Sequence, residues 1–449
     1  MNSNRRVLHF VTGSVCIYLL LSVATPALKM EWKPFQRVNL VSEIVYSEGT
    51  DSTVLAKQTD SAEVEIEALP DKDFSLYKKP RFITGFYSNT DQASLIVFCQ
   101  KLAEMKAGKR KKVRIAYFGD SMIEGDLLTQ TLRQLLQKTF GGSGVGFVPV
   151  TSQVSKFRQT VAHSYSGGWK DDNFKNSNNS RLYLSGHIFH TAGDWVEMRD
   201  NSIIDSSLII EKSLIYGNAG ANIQIIANGT PIMLENTNMV KRKILFSDHG
   251  YYLKLSVADE RLPLYGISFE SATGVMVDNF SFRGITGIEY AKISPDFLEA
   301  IAKENEYDLI VFQYGVNLLF RPNDRNFSWY ARAMLPVVKK IKTAFPTSDF
   351  LLVSTADRAF HYGAEIRSAV GIDSLIKVQA SIAWETGSYF YNQFASMGGT
   401  NSIVDWARQD PSLANKDYVH PNHRGAEILA RYLYEAMMKE YDKNMRARK

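Results

Sequence analysis

The chain has 449 residues, enough for two hydrophobic cores and their connecting segments. Its 52 basic and 47 acidic residues leave a net charge of +5, too balanced to suggest a nucleic-acid partner, and the short basic runs at 109–112 and 241–243 fit solvated loops. The two cysteines, Cys16 and Cys99, exclude a disulfide-built scaffold, and no ligand spacing suits a metal or a cofactor.

At the N-terminus, Arg5 and Arg6 precede an apolar stretch over residues 7–24 that ends in Ser22, Val23 and Ala24. This pattern fits either a secretory signal peptide or a retained membrane anchor within residues 1–29. Both readings export the body of the chain, to a bacterial periplasm or the cell surface. Residues 30–84 are polar, charged and weakly periodic, as an extended tether would be. A helix near residues 91–106 then opens an α/β region that spans 85–150 and resumes over 279–445.

The apolar run at 113–118 predicts a buried strand; it leads into Gly119, Asp120 and Ser121 and then into an amphipathic helix over 126–139. A serine at such a strand-to-helix turn is exposed at the sheet's edge, beside the N–H groups of a helix start. Asp and Ser at a helix start also serve simply as caps. Glu124 and Asp126 either touch substrate or complement the helix N-terminus. The glycine cluster at 141–146 follows a helix and leads into an extended segment, the reverse of the setting a phosphate loop requires. A flexible bend into a second domain is expected there.

From 151 to 278 helical periodicity vanishes, and short runs at 207–210, 223–226, 252–255 and 274–277 alternate with turn residues. These predict an inserted antiparallel β-sandwich. His187 and His190 stand three apart in an extended stretch and so point to opposite faces, which argues against a metal pair. Trp169, Trp195, Tyr165 and Tyr251 are expected in the insert's core, or stacked on sugar rings where exposed. His163 and the turn at 166–169 are further candidates to approach the site.

After the insert the α/β pattern resumes. A strand near 280–283 runs into a turn holding Gly284, with Gly287 as an alternative. Ser294 and Pro295 open a helix, which delivers a strand at 309–313 ending in Tyr314, Gly315 and Asn317. A helix at 329–344 and a strand at 350–354 follow, and Asp417 and His420 then lie in the loop before a helix over 424–440. Repeated strand–helix units predict a three-layer α/β/α parallel sheet, flavodoxin-like, with active loops at the strands' carboxyl ends.

A serine hydroxyl is a weak nucleophile at neutral pH and needs a histidine base held by a third polar group. Ser121, His420 and Asp417 supply that set. An acyl-transfer site also needs donors for the developing oxyanion, and the Ser121 N–H, the Gly284 N–H and the Asn317 carboxamide are candidates. These blocks, in this order, resemble those of the SGNH (GDSL-type) hydrolase superfamily, and the residues at 313–317 resemble its peptidoglycan and polysaccharide O-acetylesterase branch. Asn317 is followed by Leu318 where an acidic residue is usual. The resemblance implies a nucleophile at Ser121, a base at His420, orientation by Asp417, an oxyanion hole at Ser121, Gly284 and Asn317, and a carbohydrate-binding-like insert. It implies an esterase acting on an O-acylated polysaccharide or peptidoglycan without a cofactor. An O-acyltransferase with the same triad, or an inactive glycan-binding envelope protein, stays open at this point.

Overall fold

The computed structural model describes residues 75–86 and 93–447, apart from positions 204 and 206. The apolar stretch near the N-terminus, read above as a leader or anchor, lies outside them. No helix among the described residues is long and apolar enough to cross a membrane.

The strand Lys112–Gly119 is buried along seven of its eight residues. A strand apolar on both faces belongs inside a sheet covered on both sides. It pairs in parallel with Leu309–Gln313 on one side and Gly274–Ser281 on the other. Asp349–Val353 and Tyr389–Tyr391 extend the parallel sheet, and Ile83–Thr84 closes that edge antiparallel. Side chains of the serine strand alternate as the pleat requires. Val113, Ile115 and Tyr117 pack with Leu102, Leu132 and Leu433 on one face; Ala116 and Phe118 pack with Phe297, Val337 and Ile376 on the other. Helices Ile96–Lys106, Leu127–Phe140 and His423–Arg446 therefore cover the first face, and Pro295–Glu304, Ser328–Ala344 and Ile372–Glu385 the second. This is the three-layer α/β/α arrangement expected from the sequence.

The insert consists of two antiparallel sheets. One orders Thr230–Leu234, Ile223–Ala227, Tyr252–Val257, Asp194–Asp200 and Val161–Tyr165; the other is built around Ile210–Gly217 and Leu264–Ser271. Val148, Phe189, Val196, Leu214, Leu255 and Ile267 share the core of this insert.

Several placements differ from the sequence expectations. The run at 274–277, assigned above to the insert, and the start of the strand expected near 280–283 form one strand, Gly274–Ser281, at the edge of the parallel sheet, whereas Gly146–Pro149, assigned to the hydrolase region, pairs with Leu264–Ser271 of the insert. Both runs are short and apolar, and nothing local tells which sheet they join. Residues 75–84, assigned to the tether, fold onto the sheet, with Tyr77 and Ile83 buried. Of the run at 207–210 only Ile210 belongs to a strand, Ile210–Gly217, which continues beyond it. The glycine cluster is a tightly packed bend: a Cβ on Gly144, whose φ is +101°, would stand 2.3 Å from the Phe269 carbonyl oxygen.

Insert and parallel sheet belong to one compact unit. Aromatic rings run through the junction, Phe118 stacking on Phe312 at 4.7 Å and Phe147 lying 5.0 Å from Phe280. Beneath them Arg114, itself buried, bridges Glu270 of the insert at 2.6 Å and Asp278 of the sheet at 3.0 Å.

Candidate active site

Three neighbouring parallel strands end side by side and deliver three of the five sequence-predicted residues. Ser121 follows Lys112–Gly119, Gly284 follows Gly274–Ser281, and Asn317 follows Leu309–Gln313. Loops at the carboxyl ends of a parallel sheet are the usual place for a site in such folds. Gly315, with φ +144°, lets the last of these strands pass Thr355, since a Cβ there would lie 2.4 Å from Thr355 Cβ.

Ser121 does not open the helix directly. It sits in a turn, followed by a 3-10 segment at Glu124–Asp126, and the helix begins only at Leu127. Gly125 (φ +72°) and Asp126 (φ +68°) interrupt the helical path, so the N–H groups of the helix start are not adjacent to the serine.

The other two predicted residues arrive from the far end of the chain. The Asn422 side chain caps the helix His423–Arg446 by accepting from the N–H groups of Arg424 and Gly425, and its amide donates to the Ser412 carbonyl at 2.8 Å. The Ala359 N–H donates to the Tyr418 carbonyl at 3.0 Å, and the Asn415 N–H to the His420 carbonyl at 2.9 Å. Thus held, the loop places His420 Nε2 2.8 Å from Ser121 Oγ, across 299 positions of sequence. His420 Nδ1 lies 2.8 Å from Asp417 Oδ2, while Asp417 Oδ1 accepts from the N–H groups of Val419 and His420 at 3.0 and 3.1 Å.

Partial burial pushes the Asp417 carboxyl up, but hydrogen bonds from the His420 ring and these two N–H groups outweigh it and hold the group at about 2. An ionised Asp417 assigns the proton of the neutral imidazole to Nδ1 and leaves the Nε2 lone pair facing the serine hydroxyl. This is the relative arrangement a general base requires.

The proposed oxyanion donors are less simply placed. The Asn317 amide donates to Asp120 Oδ2 at 3.0 Å and to the Ile285 carbonyl at 2.9 Å. Both amide protons therefore have partners, and joining an oxyanion cradle requires the Asn317 amide to share one of them. Asp120 is 1% exposed, and burial pushes its carboxyl up to about 7 against the opposing Met122 N–H and His420. Gly284 is exposed, with φ +75°. Gly287 is buried, and a Cβ there would stand 2.9 Å from the Tyr314 ring, which favours Gly284 of the two.

Beside the site a cleft of about 290 Å³ runs between the loop after Ser121, the residues just before Gly284, and the insert. Glu124 lines it and pairs with Arg283 at 2.6 Å. Asp126 is buried and holds Arg133 at 2.7 Å and Arg158 at 3.3 Å, so it ties the serine loop to the insert. From the insert, exposed Phe157 rests against His423, three residues beyond His420, with ring centroids 4.9 Å apart.

The other candidates make their contacts within the insert, though none of the four aromatics expected in its core is fully buried and Tyr251 is exposed. His163 bonds the Val150 carbonyl at 3.0 Å, and burial pushes its ring down to about 4. Trp169 Nε1 donates to the Trp195 carbonyl, and Ser166 and Gly168 both bond Asp194. Tyr165 donates to the Ser152 carbonyl. Trp195 lies under Lys254, and Tyr251 beside Arg199. His187 pairs with Asp171 and His190 with the Glu260 carbonyl, so the two histidines share no partner; no group of ligands suited to a metal occurs among the described residues. Sequence reasoning missed Lys175, which lines the cleft next to Gly284. No local signal marks it, because its neighbour lies more than 100 positions away.

The architecture is an SGNH-like α/β fold carrying an inserted β domain. Among solved structures it is similar to a peptidoglycan O-acetylesterase, with a TM-score of 0.67, 22% sequence identity, and coverage of 80% of this chain and 99% of that one. A family two carbohydrate esterase from Cellvibrio japonicus aligns with a TM-score of 0.27 and 10% identity over 63% of this chain and 99% of its own. A variant of an acetyl xylan esterase from Geobacillus stearothermophilus aligns with a TM-score of 0.26 and 22% identity over 38% and 73%. No protein-family model matches the chain, and no curated protein matches it by sequence.

Proposed function

We propose that the chain is an exported serine esterase of the SGNH type, which removes O-acetyl groups from a cell-envelope polysaccharide by a Ser-His-Asp mechanism. The observation that carries this is the line from Ser121 Oγ through the His420 ring to Asp417, with 2.8 Å at each contact. The likeness in fold to a peptidoglycan O-acetylesterase supports the choice of ester and makes peptidoglycan the first glycan to test.

In this mechanism Ser121 Oγ attacks the ester carbonyl while its proton passes to His420 Nε2. Asp417 holds the ring and stabilises the imidazolium that forms. The tetrahedral oxyanion is taken up by the N–H groups of Ser121 and Gly284 and by Asn317, each such donor being worth about 3 kcal/mol in the transition state. His420 then gives its proton to the departing sugar oxygen, which leaves an acyl-serine. Water, deprotonated by the same nitrogen, attacks the acyl carbon and releases acetate, and the serine recovers its proton. No step calls for a metal or a cofactor. Export rests on the apolar N-terminal segment, as a signal peptide or a membrane tether.

Acetate release from a panel of O-acetylated glycans tests the assignment. The expected result is release from O-acetylated peptidoglycan at least about ten-fold faster, in kcat/KM, than from acetylated xylan, equivalent to about 1.4 kcal/mol of discrimination. Hydrolysis of xylan esters alone would replace the envelope substrate. Transfer of acetyl to a glycan hydroxyl without acetate release would identify an acyltransferase.

A further inference from the structure

The insert contributes more than a wall to the cleft. Lys175 stands on a turn fixed at several points. Its own N–H donates to Asn173 Oδ1 at 3.0 Å, the Asn173 N–H donates to Asn176 Oδ1 at 2.7 Å, and Lys292 from the hydrolase half donates to the carbonyls of Phe174 and Ser177. Phe174, next to it, is buried against Phe282 and Tyr290. The turn is thus anchored to the parallel-sheet side, and the Lys175 side chain crosses to the Gly284 loop. Its Nζ comes within 3.0 Å of where a Cβ on Gly284 would sit, and lies 5.7 Å from the Phe282 ring.

The charges around it decide what that ammonium is for. Arg283 pairs with Glu124, Arg158 shares Asp126 with Arg133, and Asp171 is hydrogen-bonded to the His187 ring. Among the described residues no carboxylate stands within ion-pair distance of Lys175, which remains exposed and lines the cleft. An exposed cation on an anchored turn, without an ion-pair partner among the described residues and beside the proposed oxyanion donor, is a seat for an anionic group on the substrate.

Resting on the esterase reading above, we propose that Lys175 is a specificity-determining residue that binds a carboxylate of an acidic glycan next to the ester being cleaved. The substrate class is then an O-acetylated glycan carrying carboxylates, not a neutral one. Such carboxylates come from uronic acid sugars or from the lactyl and peptide groups of peptidoglycan, and the same chemistry serves both.

The test uses two pairs of probes with the full chain: O-acetylated peptidoglycan fragments with free or amidated carboxylates, and O-acetylated polygalacturonate as the free acid or the methyl ester. The expected result is a preference of about five-fold in kcat/KM for the charged member of at least one pair, carried mainly by KM. Lys175→Met removes that preference and Lys175→Arg retains it; the pair that responds identifies the source of the carboxylate. A preference that survives in Lys175→Met overturns the proposal, as does a wild-type enzyme indifferent to charge in both pairs. A Lys175→Met variant that loses kcat on charged and neutral members alike also overturns it, and places the ammonium on the oxyanion. If the wild type releases acetate from no ester, p-nitrophenyl acetate included, the esterase reading itself fails and takes this inference with it.

Discussion

Replacing Ser121 by alanine is expected to lower p-nitrophenyl acetate hydrolysis roughly 10⁵-fold while the protein stays folded. The size of the loss follows from the way a triad works as a unit. Without the hydroxyl neither His420 nor Asp417 has a reaction to assist, and only the oxyanion donors and substrate binding remain. The fold has little stake in this side chain. Ser121 is partly exposed in a turn and, among the described residues, its hydroxyl bonds only His420, so the change in stability is expected to stay within about 1 kcal/mol. Turnover and thermal unfolding measured on the same preparation separate the two effects. Undiminished turnover in the variant would remove Ser121 from the mechanism, and lost turnover together with a collapsed melting temperature would leave the serine a structural part.

The largest effect on stability is expected from Asp126→Ala. Asp126 and Arg133 are each 1% exposed, and the carboxylate receives two guanidinium contacts from Arg133, at 2.7 and 2.9 Å. Thr160 and Arg158 of the insert reach the same carboxylate at 2.8 and 3.3 Å. Removing the acid leaves a buried guanidinium without its counter-charge, a change that costs about 3–5 kcal/mol. Urea unfolding should show this, and Asp126→Ala/Arg133→Met should recover part of it, because of the two guanidiniums that Asp126 holds only Arg158 is then left without its carboxylate. The pH dependence has a definite sign. Burial alone would raise the Asp126 carboxyl, but Arg133 and Arg158 outweigh it and hold it well below its ordinary value. Its contribution is therefore fully present above the unfolded-state pKa of about 4 and is lost as pH falls below that. The gap between wild type and variant should narrow in acid; a gap that is constant with pH would deny the ion pair its role.

What the sequence made legible was chemistry that is local. A serine after an apolar strand, and an Asp-x-x-His before a capped helix, are short-range patterns, and the fold brings them together as read. Strand and helix identities held for the same reason: Pro295–Glu304 opens on a Ser-Pro pair, and Leu309–Gln313 is apolar up to its final Gln313. Choices between two sheets were not legible. Gly274–Ser281 is buried on both faces, as a parallel strand should be, but it follows antiparallel strands and so reads as one of them. Nor could the sequence place cooperating charges. Asp126 meets Arg158 across 32 positions, Arg114 meets Glu270 across 156, and Lys175 approaches Gly284 across the domain junction. The double engagement of Asn317, by Asp120 and the Ile285 carbonyl, is likewise a product of tertiary packing.

The nucleophile is tested most directly by covalent labelling. Treating the protein with a fluorophosphonate and locating the adduct by mass spectrometry should place the label on Ser121 and on no other serine, and replacing His420 by alanine should slow labelling roughly 10³-fold. Labelling elsewhere, or none under conditions that modify a known serine esterase, would contradict an activated hydroxyl at that position.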